Sequence, residues 1–352
     1  MHSDFVPESV ETPPREFTGS PARTSTSLPA PVWDPQQYLH HSGHRTRPFL
    51  DLLTRIPPLP GAGHTGAAAA DTAAAGDGPV MLGPFGLGRT GPAGTGRPAG
   101  WVPGQGRGPF GAGTRRPPRI ADLGCGPGNV TALLADRWPD ARITGFDLSP
   151  EMLAQADKDH AGTTVGGGWL DFRPADLAHW TPDEPYDLIV SNAALQWVPN
   201  HPESFARWID GLTPGGTLAF QVPGNFTSPS HALLGELCES PRWRTRLGDH
   251  GRRYVHILEP ADYLLRLIGL GCEVDVWETT YSQLLSGEDP VLDWVKGTAL
   301  RPVLTELGDD EEAVAAFLGE YRDLLRAAYP PGPHGTVFPF RRIFAVARRK
   351  DS

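Results

Sequence analysis

Ile120-Ala121-Asp122-Leu123-Gly124-Cys125-Gly126-Pro127-Gly128-Asn129 is a short apolar run that breaks into a loop with glycine at every second position. A helix-like segment follows from Val130 to Arg137. Glycine allows tight turns and lets a ligand approach the backbone where a Cβ would collide. About 20 residues further on, where such folds place a ribose-binding acid, Ile143-Thr144-Gly145-Phe146-Asp147 is a second apolar run ending in a carboxylate. In a doubly wound α/β sheet that acid accepts hydrogen bonds from both ribose hydroxyls. Loop and acid together read as a nucleoside site. The plainer alternative is a glycine turn between strand and helix.

The spacing narrows the ligand. A dinucleotide loop reads G-x-G-x-x-G and brings a pyrophosphate to a helix N-terminus. Here the spacing is G-x-G-x-G, with Asp122 just before it. A carboxylate there repels a pyrophosphate but suits a ligand carrying an ammonium and a sulfonium, which fits S-adenosyl-L-methionine.

Strands are expected at Arg119–Leu123, Arg142–Asp147, Leu170–Pro174, Tyr186–Asn192 and Thr217–Val222, with helices near Val130–Arg137, Pro150–Asp157 and Glu203–Leu212. Such alternation predicts a doubly wound, mostly parallel sheet covered on both faces. Leu212 to Gly216 reads as a helix stop and turn before the fifth strand. Two later strands, Cys272–Thr279 and Arg342–Ala347, bring the expected count to seven. Segments at Ser230–Cys238, Asp289–Leu300 and Asp309–Ala328 read as helices of a small cap, over about 225–260 and 285–330. Gly162–Gly168 reads as a loose loop.

Outside this domain, over 118–352, the chain changes character. Residues 1–31 are rich in Ser, Thr and Pro and read as a disordered tail. An amphipathic segment, Gly43 to Ile56, marks a helical lid over 32–57. The stretch 58–117 is dominated by Gly, Pro and Ala and reads as a disordered insertion, since it cannot bury enough apolar surface to offset its chain entropy. A loop of that length is tolerable, because closure cost grows only logarithmically.

The formal net charge of the 352 residues is -10, which argues against nucleic acid as the main partner. No apolar run approaches a membrane span, and no secretory leader is evident. Three scattered cysteines, Cys125, Cys238 and Cys272, predict neither a disulfide framework nor a metal site, and fit a reducing cytoplasm. His40, His41 and His44 read as solvated imidazoles rather than metal ligands. A monomer is expected.

Further motif residues point the same way. They are Trp33-Asp34-Pro35, Arg45-Thr46-Arg47-Pro48, Asp147-Leu148-Ser149-Pro150-Glu151-Met152, Ser191-Asn192-Ala193-Ala194-Leu195-Gln196-Trp197, Gly271 to Trp277, Asp293-Trp294-Val295, Leu300-Arg301-Pro302 and Phe340 to Arg349. With the glycine loop, they make the chain resemble the class I S-adenosylmethionine-dependent methyltransferases and, within them, the trans-aconitate 2-methyltransferase group. The likeness runs from Trp33 to about Lys350, interrupted by the insertion. It implies that Gly124, Gly126 and Gly128 shape the loop around the methionine moiety. Asp122 would meet the amino group, and Asp147 the ribose hydroxyls. Asp176 and Leu177 would lie near the adenine, with a helix N-cap as the alternative role for Asp176. Asn192 would point toward methyl transfer, and Trp197 would cover the adenosine, line the substrate entrance or simply pack in the core.

The acceptor implied is a small carboxylate, trans-aconitate first. A carboxylate is already ionised near neutral pH, so no general base is needed and rate comes from alignment and exclusion of water. Arginine suits such an acceptor because its planar fork binds carboxylates bidentately. Candidates are Arg45, Arg47, Arg301 and Arg341 or Arg342, of which strand alternation lets at most one of the last two reach the pocket. Tyr38 and Tyr281 could add hydroxyl contacts. Two alternatives stand: a carrier-bound malonyl thioester or natural-product acceptor, and a non-catalytic S-adenosylmethionine-binding protein.

Overall fold

The computed structural model describes residues 42–59, 116–248 and 257–351, with side chains from Thr46 onward. The tail over 1–31, most of the 58–117 insertion, and Trp33, Tyr38, His40 and His41 lie outside the described residues, as do the side chains of His44 and Arg45.

Strands β1 (Arg119–Leu123), β2 (Arg142–Asp147), β4 (Trp169–Pro174), β5 (Tyr186–Asn192) and β6 (Leu212–Pro223) run parallel, in the order β4-β2-β1-β5-β6. β5 is buried at all of its positions, as expected of a central strand covered on both faces. One face carries α1 (Ser42–Arg55), whose Phe49, Leu52 and Leu53 pack with Ile120, Leu188 and Val190. α2 (Asn129–Arg137) joins the same core through Val130 and Leu134. α3 (Pro150–His160) begins where Ser149 caps Met152 N–H at 3.3 Å and Pro150 pre-sets the first turn. The opposite face is covered by α4 (Phe205–Asp210) and α7 (Pro260–Gly269), through Phe205, Trp208, Tyr263 and Leu267.

Among the described residues the sheet has eight strands, one more than expected. The extra one, β3 (Gly162–Thr163), pairs antiparallel with β4. The expected loose loop is therefore a tight hairpin, closed by Thr164 N–H to Gly168 O at 3.1 Å. Its glycines are used for proximity: a Cβ on Gly168 would lie 2.2 Å from Ala141 O. β6 also starts earlier than expected. Leu212 pairs with Tyr186, the register then skips to Thr217 opposite Leu188, and Gly215 adopts φ 72° in between. The turn read from Pro214-Gly215-Gly216 is thus an irregularity inside the strand. Residues 201–210 divide into a 3-10 turn, His201–Ser204, followed by α4.

β7 (Cys272–Leu285) and β8 (Thr336–Arg349) form a long antiparallel hairpin on the β6 edge, paired from Cys272↔Arg349 to Leu285↔Thr336. Both strands outrun their expected ends by several residues. In β8 the overlooked signal was Val337-Phe338-Pro339-Phe340, whose alternate residues are exposed and buried; Pro339 masks the strand pattern. The protruding end carries Leu285, Phe338 and Phe340 into a separate core. That core is built by α5 (Pro229–Glu239), α6 (Arg244–Leu247), α8 (Pro290–Lys296), α9 (Arg301–Leu307) and α10 (Glu311–Ala328). Trp294 packs on Phe338 and Phe340, with ring centroids 5.9 and 5.6 Å away. None of the described helices is long and apolar enough to cross a membrane.

Asp187 anchors the end of the sheet opposite the glycine loop. It is fully buried and accepts from Arg116 Nη1 and Nη2 at 2.7 and 2.8 Å, Arg119 N–H at 2.8 Å and Thr213 Oγ1 at 2.9 Å. Asp187→Asn keeps the shape but loses the charge and half the acceptors. Its expected cost is about 1.5–3 kcal/mol, the range for hydrogen bonds to charged groups. Urea unfolding should show the midpoint moving at constant slope.

Candidate functional site

The glycine loop joins β1 to α2 at the carboxyl end of the sheet. Gly124, Gly126 and Gly128 all adopt left-handed backbone, at φ 79°, 55° and 80°. They serve different ends. A Cβ on Gly124 would sit 2.2 Å from Ala194 Cβ, and one on Gly128 would press on the Phe172 ring at 2.8 Å. A Cβ on Gly126 would meet nothing within 4 Å. Gly124 and Gly128 therefore permit packing, whereas Gly126 opens onto free space.

Two carboxylates flank the loop. Asp147 accepts from Gly126 N–H and Ser149 N–H, both at 2.9 Å, so it braces the loop. Burial raises its pKa, and the backbone donors of Ser149, Gly126 and Leu148 counter that. Asp122 is fully buried; its Oδ2 accepts from Thr131 Oγ1 at 2.7 Å. Its Oδ1 has no hydrogen-bond partner among the described residues. Burial pushes its pKa up to about 7, the Thr131 bond pulls down, and the nearby Asp147 adds to the rise. A buried carboxylate oxygen with no donor is costly unless a ligand supplies one.

A polar row crosses the sheet from this point. Asp122 (β1), Asn192 (β5), Gln221 (β6) and Arg342 (β8) share strand parity with Ile120, Val190, Ala219 and Phe344, all of the core beneath α1. All four are buried. Gln221 Nε2 donates to Asn192 Oδ1 at 2.6 Å, and Arg342 Nη1 donates to Gln221 Oε1 at 3.3 Å. Ala193, next to Asn192, takes φ 56° and donates its N–H to Gln221 O at 2.9 Å. That left-handed turn bends the chain back, so Ala194 reaches Gly124.

The methyltransferase-domain family matches residues 120–216, the span from β1 into β6. The trans-aconitate 2-methyltransferase of Streptomyces coelicolor is 54% identical over 322 residues, 92% of this chain and 88% of its own. That of Streptomyces avermitilis is 54% identical over 320 residues, 91% and 98% of the two chains. That of Mycobacterium tuberculosis is 39% identical over 318 residues, 90% and 96%. The chain belongs to the trans-aconitate 2-methyltransferase family. This is the group its motif residues resemble.

In this member of the family, the sequence candidates scatter. Leu177 is buried beside the loop, its Cδ1 3.7 Å from the Cβ position of Gly124. Asp176 is half-exposed and forms a turn: Oδ1 accepts from Ala178 N–H at 3.0 Å, and Oδ2 meets His179 Nδ1 at 2.9 Å. The His179 contact lowers its pKa; burial opposes it, and the Ala178 donor adds to the lowering. No helix starts here, so these contacts close a turn rather than cap a helix. Trp197 is half-buried in a 3-10 turn, Leu195–Trp197.

Among the acceptor candidates, Arg341 does not face the row. It is bound to Glu259 and Glu278 on the other side of β8, with Nη2 2.6 Å from Glu259 Oε2. Alternation turns the neighbouring Arg342 inward instead, over the Phe340 ring at 4.5 Å. Tyr281 lies on the inward side and donates to Asp51 Oδ2 on α1 at 2.6 Å. Arg47 covers the Tyr281 ring at 5.1 Å. Burial and the Asp51 bond raise the Tyr281 pKa, while the charges of Arg47 and Arg342 oppose them. Arg47, Tyr281 and Arg342 are therefore one neighbourhood. Among the described residues, no hydrogen bond, ion pair or ring contact joins Arg301, at the start of α9, to it. Gln221 escaped the sequence reading, although a lone amide with the parity of Ala219 in an apolar strand was the visible signal.

Proposed function

We propose that this protein transfers a methyl group from S-adenosyl-L-methionine to a carboxylate of trans-aconitate, giving a monomethyl ester. The observation that carries the cofactor assignment is Asp122, a buried carboxylate with one oxygen unpartnered beside a glycine loop open at Gly126. That arrangement fits a cationic amino acid and disfavours a pyrophosphate. Membership in the family and its named relatives support the acceptor. The three described cysteines are free and buried, consistent with a reducing cytoplasm.

Asp122 would hold the ammonium group, the open side of Gly126 would border the methionine moiety, and Asp147 would take the ribose hydroxyls. When bound, S-adenosylmethionine supplies an electrophilic methyl on a positively charged sulfur, which an ionised carboxylate oxygen accepts with no proton to remove. The chain's own contribution is alignment. The Asn192–Gln221 bond and the Ala193 turn fix the end of β5, and α1 covers the adjoining face through the Tyr281–Asp51 bond.

The test is mass spectrometry of trans-aconitate, cis-aconitate, citrate and isocitrate incubated with S-adenosylmethionine. A gain of one methylene unit, greatest on trans-aconitate, is expected; no gain on any sinks the acceptor assignment. The carboxylate also predicts a proton balance. Cation binding favours the ionised form of Asp122, which holds its proton up to about pH 7 in the free protein. Affinity for S-adenosylmethionine should therefore fall as pH drops below about 7, with proton release on binding. Calorimetry in buffers of different ionisation enthalpy measures it, and the effect should vanish in Asp122→Asn.

A further inference from the structure

We infer that Arg342, held by Gln221, is the residue that receives a carboxylate of the acceptor, and that the row Asp122–Asn192–Gln221–Arg342 sets the distance between cofactor and acceptor. The inference rests on the reading of the function given above and names the residue that selects its substrate.

The row is ordered by charge. A carboxylate stands at one end, a guanidinium at the other, and two neutral amides between them. Adjacent strands lie about 4.8 Å apart, so the three steps from β1 to β8 span roughly 14 Å. The registers advance along the row: Asp122 is opposite Val190, Asn192 opposite Gln221, and Arg342 opposite Pro223, two residues past Gln221. The row therefore rises toward the carboxyl ends of the parallel strands, where open sheets bind ligands.

Burial gives Arg342 its selectivity. It is 5% exposed, stacked over Phe340 and tethered to a neutral amide. An acceptor carboxylate here would meet a desolvated, oriented fork, where charge-assisted bonds are strongest. Arg47 and the Tyr281 hydroxyl add a second positive and a polar contact at the same place, with Asp51 as the nearby negative counterpart. Gln221 is a positioning residue: it links the guanidinium to Asn192, so the acceptor end and the cofactor end of the row are held in one hydrogen-bonded chain.

The adjacent arginine supplies the control, since Arg341 points away and is saturated by Glu259 and Glu278. Binding of trans-aconitate to protein loaded with S-adenosylhomocysteine, which has no methyl to give, is measured by calorimetry for the parent, Arg342→Gln, Arg342→Lys and Arg341→Gln. Arg342→Gln should weaken trans-aconitate by about 10–150-fold, the range for losing a hydrogen-bonded charge. Arg342→Lys should recover part of that, because it restores the charge without the fork. Arg341→Gln should change it less than about threefold, the effect of a surface ion pair. S-adenosylhomocysteine affinity should stay within the same bound in all of them, which separates acceptor recognition from misfolding. Unchanged trans-aconitate affinity in Arg342→Gln, an equal loss in Arg341→Gln, or no binding by the parent overturns the inference. Should the parent bind through Arg342 yet transfer no methyl group, the proposed reaction fails while the carboxylate site stands.

Discussion

Asp122→Asn is expected to make the ligand-free protein more stable at pH 8 and its complex with S-adenosylmethionine weaker. The two effects share one cause. The folded protein keeps a proton on Asp122 up to about pH 7 because burial disfavours the charge. The unfolded chain releases it near pH 4. Between these values the folded state binds the extra proton, so the stability linked to this group is highest at low pH and falls as pH rises through that window. Above it, the folded protein carries a buried charge that costs on the order of 2–4 kcal/mol. Asparagine removes that cost and keeps an acceptor for Thr131 Oγ1, which now bonds Asp122 Oδ2. It also removes the anion proposed to meet the ligand's ammonium, an expected loss of about 10–150-fold in affinity. Urea unfolding at pH 5 and pH 8, with calorimetric titration of the ligand, reads both. A destabilised variant at pH 8, or one that binds as well as the parent, would show that Asp122 is a structural residue.

The second large effect separates two glycines of one loop. Gly124→Ala places a methyl group 2.2 Å from Ala194 Cβ at φ 79°. Left-handed backbone costs a non-glycine residue about 1–2 kcal/mol, and overpacking about 1–3 more. The expected loss is about 2–5 kcal/mol of stability, with cofactor binding lost alongside. Gly126→Ala pays only the backbone cost of about 1–2 kcal/mol, since its Cβ meets nothing within 4 Å. It should fold and still bind S-adenosylmethionine poorly, because the added methyl occupies the open side of the loop. Chemical denaturation and ligand titration on the pair decide it. Equal destabilisation of both would mean that the loop tolerates no Cβ anywhere, and that the open side of Gly126 has no bearing on the ligand.

The loop itself was legible because its chemistry is local. Glycines at every second position, an acid before them and an acid closing the next strand are all read within one β-α-β unit. Alternation of apolar runs with helical segments likewise reports a parallel sheet, since parallel strands covered on both faces read as mostly apolar runs. The sequence misled where a residue's role depends on partners far along the chain. Gly215 reads as part of a turn, yet it lies inside a strand whose neighbours tolerate it. Asp176 reads as a ligand residue with a helix N-cap as the alternative, and its contacts with Ala178 and His179 form a turn that caps no helix.

What the sequence determined by itself is the parallel core of the sheet, the loop and the class of ligand, because spacing along one chain fixes them. Which of two adjacent arginines faces the polar row was a tertiary decision. Arg341 and Arg342 are identical in type and adjacent in sequence. Only the pairing of β8 with β6 and β7 turns one toward Gln221 and leaves the other with Glu259 and Glu278. A strand alternates its side chains at every residue, so the face each takes is set by the register of its neighbours, which no local pattern records.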